Sequence, residues 1–326
     1  MAAIGLKSCW LEWCLWSGSQ GMLRIGFAGL DSSHCTAFAR LLLEDCVPGG
    51  LQGARITAGW PGGSADFPLS RDRVQGFTEE MRSLGTVITA TVEELLQQCD
   101  AVILGSVDGR QHLGLAEQIF AAGKPVFVDK PLAHDLADAA RIALLARRYG
   151  TRWFTASALR FQAELRSLLD ELRGERVVGC EAFGTLRAGI GHLQLAWYGI
   201  HGLEVLYAVM GAGCREVRRV QTASGDLTTG IWEDGRVGVF RGLADERQAV
   251  GWGVTVFGSA SIRQLRLPAE YPALLGEIVR FFQGGAAPVS EAEMLELFGF
   301  MEAADASLAA GGAAVRVADC LRRAGV

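Results

Sequence analysis

Hydrophobic and polar positions alternate along this chain in two different ways, and the change falls after Ser157. Before it, short apolar runs are separated by stretches whose apolar residues recur at helical spacing. Leu23–Ala28, Ala54–Ala58, Val87–Ala90, Ala101–Leu104, Val126–Val128 and Arg152–Ala156 read as strands. Between them a helix runs through Leu43, Val92–Gln98 opens on a Thr91/Glu94 capping box, and helices over Gln111–Gly123 and Asp135–Tyr149 flank the fifth strand. This rhythm predicts a right-handed, doubly wound parallel sheet of the α/β class over 22–157. After Ser157, a helix over 162–173 leads into Arg176–Thr185, Glu216–Ala223, Thr228–Trp232, Arg236–Arg241, Gly253–Phe257 and Ser261–Leu267. Their alternation and the Gly-Asp, Glu-Asp-Gly and Gly-Ser turns between them predict an antiparallel sheet. With helices at Trp197–Val209, Tyr271–Phe282 and Glu291–Ala310, residues 158–326 are expected to form an α+β domain, an open antiparallel sheet with helices on one face.

Residues 1–21 match neither pattern. Three tryptophans, two cysteines and Glu12 interrupt any secretory signal. Met22 directly precedes the first strand, so 1–21 reads as an extension from an upstream start, or as an apolar docking segment. A chain of 326 residues is long enough for two domains. A net charge of −5 with 21% charged residues gives no reason to expect nucleic acid or an anionic membrane as partner. No apolar run approaches the roughly 20 residues that span a bilayer. Eight scattered cysteines fit neither a zinc site nor a disulfide framework, which suits free thiols in a reducing cytoplasm.

Chemistry concentrates at the carboxyl ends of the first-half strands, where open parallel sheets bind ligands. The fifth strand stops at Asp129-Lys130-Pro131, a charged pair at that edge. The first strand runs into Gly29-Leu30-Asp31-Ser32-Ser33-His34 and then a helix, the context of a dinucleotide fingerprint. Gly29 fills its first glycine, but Asp31 and His34 stand at the second and third. A carboxylate at Asp31 is expected to repel a pyrophosphate. Two readings stand here: Asp31 or Ser32 caps the helix, or the helix N-terminus is the anion site with Ser32 and Ser33 as donors. After the second strand, Gly59-Trp60-Pro61-Gly62-Gly63-Ser64 lacks the acid that holds an adenosine ribose. Trp60 and Ser64 are left as its cofactor contacts. Arg71 and Arg73 either face a 2′-phosphate or belong to a solvated loop. Ser106, Asp108 and His112 follow the fourth strand; His112 either lines the site or caps its helix. His134 reads as a loop residue, and His192 lies in a glycine-rich run that reads as a loop residue or a substrate contact. Five histidines at these spacings give no metal-ligand pattern.

Taken together, the chain after Met22 resembles the Gfo/Idh/MocA family of sugar and inositol dehydrogenases. The resemblance rests on Ala122-Gly123-Lys124-Pro125-Val126-Phe127-Val128-Asp129-Lys130-Pro131, with Asp for the family's Glu, on Arg160-Phe161, on Gly199-Ile200-His201, on Gly253–Ser259, and on the helix from Glu291 through Ser307. It implies a Rossmann domain, NAD or NADP, and hydride transfer at a sugar-like polyol or keto-sugar. It carries Lys130 and His201 over as the catalytic pair, with Trp197 where the family has an aspartate; Tyr198 or Glu204 is left to compensate. An indole N–H donates but takes no proton. Asp129, Lys130 and Arg160 are implied cofactor contacts, and Lys130, His192, Trp197, Tyr198 and His201 substrate contacts. The resemblance also implies pairing through the second sheet, hence a homodimer or homotetramer. Two other outcomes remain: NAD-assisted elimination or hydrolysis of a glycoside, and a sugar- or nucleotide-binding protein without turnover.

Overall fold

A computed structural model describes residues 21–44, 53–244 and 251–326. The expected extension therefore lies almost wholly outside the described residues. Six parallel strands form the first sheet: β1 (Leu23–Ala28), β2 (Ala54–Trp60), β3 (Val87–Ile88), β4 (Ala101–Leu104), β5 (Val126–Val128) and β6 (Trp153–Phe154), in the order β3-β2-β1-β4-β5-β6. Central strand β4 is buried throughout, as a continuous apolar run in a sheet covered on both faces must be. The order reverses between β1 and β4, the switch point that opens a crevice at the carboxyl ends. Four helices matter for that edge: α1 (His34–Leu43), the single turn α2 (Pro68–Arg71), α3 (Val74–Ser83) and α5 (His112–Ala121), with α4 (Val92–Gln97) packed behind them. α6 (Leu136–Tyr149) opens on Asp135, whose side chain accepts from the Asp138 amide, and closes on Gly150 at φ 65°, a left-handed stop.

The second sheet has seven strands in the order β12-β11-β7-β10-β9-β8-β13, where β7 is Val177–Leu186, β8 Cys214–Thr222, β9 Gly225–Trp232, β10 Val237–Ala244, β11 Trp252–Gly258, β12 Ile262–Leu267 and β13 Val315–Arg316. It is antiparallel except at its centre, where β7 and β10 run parallel. Period-two alternation sorts its two faces. Phe240, Val254 and Val256 are fully buried, whereas Val237 and Phe257 stay 43% and 37% exposed on the other side. The inner face is covered by α8 (Gly199–Met210) and α10 (Glu291–Ala309), with α7 (Ala163–Glu171) and α9 (Pro272–Phe282) completing the shell and α11 (Val317–Arg323) at the end. α8 begins two residues later than the periodicity predicts, so Trp197 and Tyr198 lie in the turn that enters it.

Candidate active site

Lys130 ends the turn after β5, and His201 sits in the first turn of α8. The fold brings them together, close enough for the Lys130 charge to act on the His201 ring. Burial pushes the Lys130 ammonium below the ordinary lysine range, against the pull of Asp129 and with help from Arg73. His201 is held well below the ordinary histidine range, first by burial and then by the nearby Lys130 and His34. Its Nδ1 lies 2.6 Å from the Ser157 hydroxyl, and its ring meets Trp252 edge-on at 5.4 Å. The Lys130 Nζ stands 5.9 Å over the Trp197 ring. Trp197 packs against Phe67 and Val107, and Tyr198 joins this small apolar cluster with the Arg187 guanidinium over its ring. Trp197 thus roofs the lysine, a role no aspartate could fill.

Asp129 does not pair with the Lys130 ammonium by contact. One carboxylate oxygen accepts the Lys130 amide at 2.8 Å, and the other lies 2.6 Å from His34 Nδ1. Burial alone would raise this carboxyl, but His34 and Lys130 hold it below its usual value. His34 therefore occupies the third-glycine position as a clamp on Asp129, its ring packed on Phe38 and on Tyr271 from the second half. The exposed Ser33 hydroxyl reaches Tyr271.

Several residues expected to face a cofactor are engaged by the chain itself. The Asp31 carboxylate is turned inward, accepting from Ser70 Oγ at 2.6 Å and from the Val107 amide at 2.9 Å, so it neither caps α1 nor confronts a phosphate. Its burial raises its pKa, opposed by those two donors. Ser32 Oγ accepts the His34 amide at 3.2 Å. Ser64 Oγ donates to Asp108 at 2.6 Å; Asp108 also takes the Arg110 guanidinium, which extends to Asp66. Burial opposes ionisation of Asp108, and Arg110 with Ser64 outweighs it. Trp60 ends β2 with its ring against Gly62. His112 is fully buried with its nitrogens on the carbonyls of Leu132 and Ser106, a strut and not a cap. His192 Nε2 accepts the Gly109 amide at 3.1 Å and Nδ1 faces the Ile190 carbonyl, which makes this residue a clasp between the halves. Arg160 is buried between Glu204 and Glu293, its Nη2 2.7 Å from the latter. Neither Arg160 as a cofactor contact nor Glu204 as the compensating acid matches that arrangement. No signal along the chain links positions so far apart. The Ser70 and Val107 partners of Asp31, and the Ser157 partner of His201, had no local signature either.

His134, Asp135 and Asp138 bring ligand-type atoms within 4.8 Å of one another at the start of α6, a grouping that spacing alone did not single out. Asp135 is at the same time that helix's cap.

Comparison with known proteins now adds to the geometry. Residues 70–157 match the model of the Gfo/Idh/MocA oxidoreductase family, described as an NAD-binding Rossmann fold. The oxidoreductase YceM of Salmonella typhimurium is 33% identical over 124 residues, 38% of this chain. That stretch spans only 35% of the relative's length. The fold extends the likeness over both halves. A scyllo-inositol dehydrogenase from Lactobacillus casei, solved with NAD(H) and scyllo-inositol, superposes with a TM-score of 0.72 at 16% identity, covering 91% of this chain and 99% of that one. An oxidoreductase from Agrobacterium radiobacter, solved with NAD+, L-tartaric acid and magnesium, gives 0.70 at 14% identity over 91% and 99%.

The residues at the glycine turn fit a bound dinucleotide. Gly29, at φ 96°, keeps the conformation that the fingerprint needs, since a Cβ there would sit 2.4 Å from Ser106 Oγ. That hydroxyl is buried without a hydrogen-bond partner, a polar group in want of an acceptor or donor.

Proposed function

We propose that this chain is an NAD(P)-dependent oxidoreductase that moves a hydride to or from a carbinol carbon of a sugar-like polyol or keto-sugar. One observation carries the reading: Lys130 and His201, from opposite halves, come together where burial depresses the pKa of both. A nicotinamide dinucleotide, when bound, supplies the hydride acceptor or donor; Ser32, Ser33, Ser106, Asp129 and Lys130 are the residues that would hold it. The proton is the chain's own business. A histidine held neutral at pH 7 can take the hydroxyl proton at Nε2 while Nδ1–H is donated to Ser157 Oγ. A desolvated lysine gives up its proton more readily than one in water, so Lys130 can donate to a ketone oxygen and recover the proton from a carbinol. Trp197 stands over the Lys130 ammonium, Trp252 packs edge-on against the His201 ring, and the Arg187 guanidinium lies over the Tyr198 ring. The test is direct: mass spectrometry of the denatured protein for bound nicotinamide, then reduction of NAD+ by a panel of inositols and sugars. No bound or bindable nicotinamide would end the reading. In its place would stand a sugar-binding protein without turnover, the reading that Trp197 at the acid position favours.

Two further proposals concern setting. Among the described residues, Cys35, Cys99, Cys180, Cys214 and Cys320 are free thiols, which supports a reducing cytoplasm, and no described helix is long and apolar enough to cross a membrane. The uncovered sheet face carries Val178, Val237 and Phe257 as partly exposed apolar residues, which supports pairing of two copies there. Light scattering at micromolar concentration is expected to give at least twice the 34.9 kDa chain mass. Val237→Asp with Phe257→Glu is expected to return it to the monomer; a monomeric wild type would overturn the pairing.

A further inference from the structure

The stretch from Pro61 to Arg73 leaves β2 and crosses the carboxyl edge of the first sheet at its switch point. Hydrogen bonds from several elements hold it there. The Leu30 amide donates to the Pro61 carbonyl at 2.8 Å, prolonging the β1–β2 pairing beyond the last strand residue into the glycine turn. Ser70 Oγ donates to Asp31 and itself accepts the Ser64 amide at 2.8 Å. Arg73 Nη2 reaches the Asp31 carbonyl at 2.8 Å. Ser64 donates to Asp108 beyond β4, and Gln111 Nε2 to the Gly63 carbonyl. At the far end, Phe67 packs on Trp197 at 5.1 Å, the ring that faces the Lys130 ammonium. In consequence Leu30, Asp31, Ser106 and Asp108 are at most 1% exposed. A dinucleotide lying between the second strand and the glycine turn needs the ground that this stretch covers.

We propose that residues 61–73 form a strap that closes the dinucleotide groove and lifts to admit the cofactor, an inference that rests on the nicotinamide-dependent reading above. The segment is built to hinge. Gly62 and Gly63 take φ of 61° and 105° directly after β2, a backbone that absorbs rotation at little cost. Two of its anchors are side-chain hydrogen bonds to buried carboxylates, Ser70 to Asp31 and Ser64 to Asp108, each separately breakable. This assigns Asp31 a purpose: the acid at the second-glycine position is the catch of the strap. Because the cofactor binds only the open state, its apparent affinity is reduced by the fraction of molecules that are closed.

The experiment pairs NADH titration by fluorescence with hydrogen exchange of peptides covering 61–73, for the wild type, Ser70→Ala and Arg73→Gln. Both substitutions remove a closed-state tie, and each is expected to tighten NADH about tenfold, the worth of one hydrogen bond to a charged or buried acceptor. Saturating NADH is expected to speed exchange of the 61–73 amides in the wild type. Binding to the wild type with unchanged strap protection, and unchanged affinity in both variants, would overturn the strap while leaving the cofactor reading intact. No NADH binding even in a variant whose strap exchanges freely would remove the cofactor reading, and the strap with it.

Discussion

Lys130→Met and His201→Asn are each expected to lower turnover by about 10²-fold or more, the usual worth of a positioned acid or base. Dinucleotide affinity should barely move in His201→Asn, and the unfolding midpoint should barely move in Lys130→Met, whose side chain anchors no neighbour that would be left unsatisfied. Nζ makes no ion pair among the described residues; its contact is the Trp197 face. The competing view is that Lys130 serves only to neutralise Asp129. The geometry speaks against it, since both Asp129 oxygens are already taken by the Lys130 amide and His34. The pH profile separates the two. A histidine whose folded pKa lies well below 6.5 keeps its proton-accepting form on acidification, so the acid limb of kcat/KM should lie well below that ordinary histidine value. The lowered Lys130 should bring the alkaline limb in below the ordinary 10.5 of a lysine. His201→Asn should erase the acid limb and Lys130→Met the alkaline one. Near-full activity in both variants would mean that the proton is handled elsewhere.

How much of this was legible along the chain depends on range. The parallel sheet is readable because each strand–helix unit is local, and the two faces of β10 and β11 because side chains alternate with period two. The parallel pairing of β7 with β10 is not, since nothing within either strand specifies which distant edge it meets. Lys130 is readable from its place at a strand end, and His201 from the family's glycine–x–histidine opening of a helix. Asp31 is the instructive miss. A carboxylate in a tight turn can cap, repel or tie, and which of these it does is decided by Ser70, 39 residues away in a stretch that reads only as a glycine-, proline- and serine-rich loop. His34 and Trp197 were visible as departures from a pattern. Their compensations, an Asp129 clamp and a roof over an ammonium, exist only once the halves are assembled.

Arg160→Met is expected to destabilise the fold by on the order of 3–5 kcal/mol, the cost of stranding charge that a buried partner had balanced. The side chain of Arg160 is 10% exposed, and those of Glu204 and Glu293 are 5% and 19% exposed. Burial already raises the Glu204 carboxyl, with Arg160 pulling it back down. Without the guanidinium the Glu204 carboxyl would titrate further above its unfolded value. A raised carboxyl favours the folded state when protonated, so that stability is present below the unfolded pKa of about 4.3 and lost as pH rises through the folded one. The deficit of the variant should therefore be largest at pH 7 and shrink as the pH is lowered toward 5, which urea unfolding at the two pH values measures. Glu204→Gln in the Arg160→Met background should recover part of the loss at pH 7 and almost none at pH 5. The contrary outcome is equally sharp: a variant as stable as the wild type that has lost NADH affinity would make Arg160 a cofactor contact, as its position after the sixth strand implied. The burial of three charges on Ala158–Phe161, α8 and α10 favours the structural role, because one residue there joins the end of the nucleotide-binding half to both helices under the second sheet.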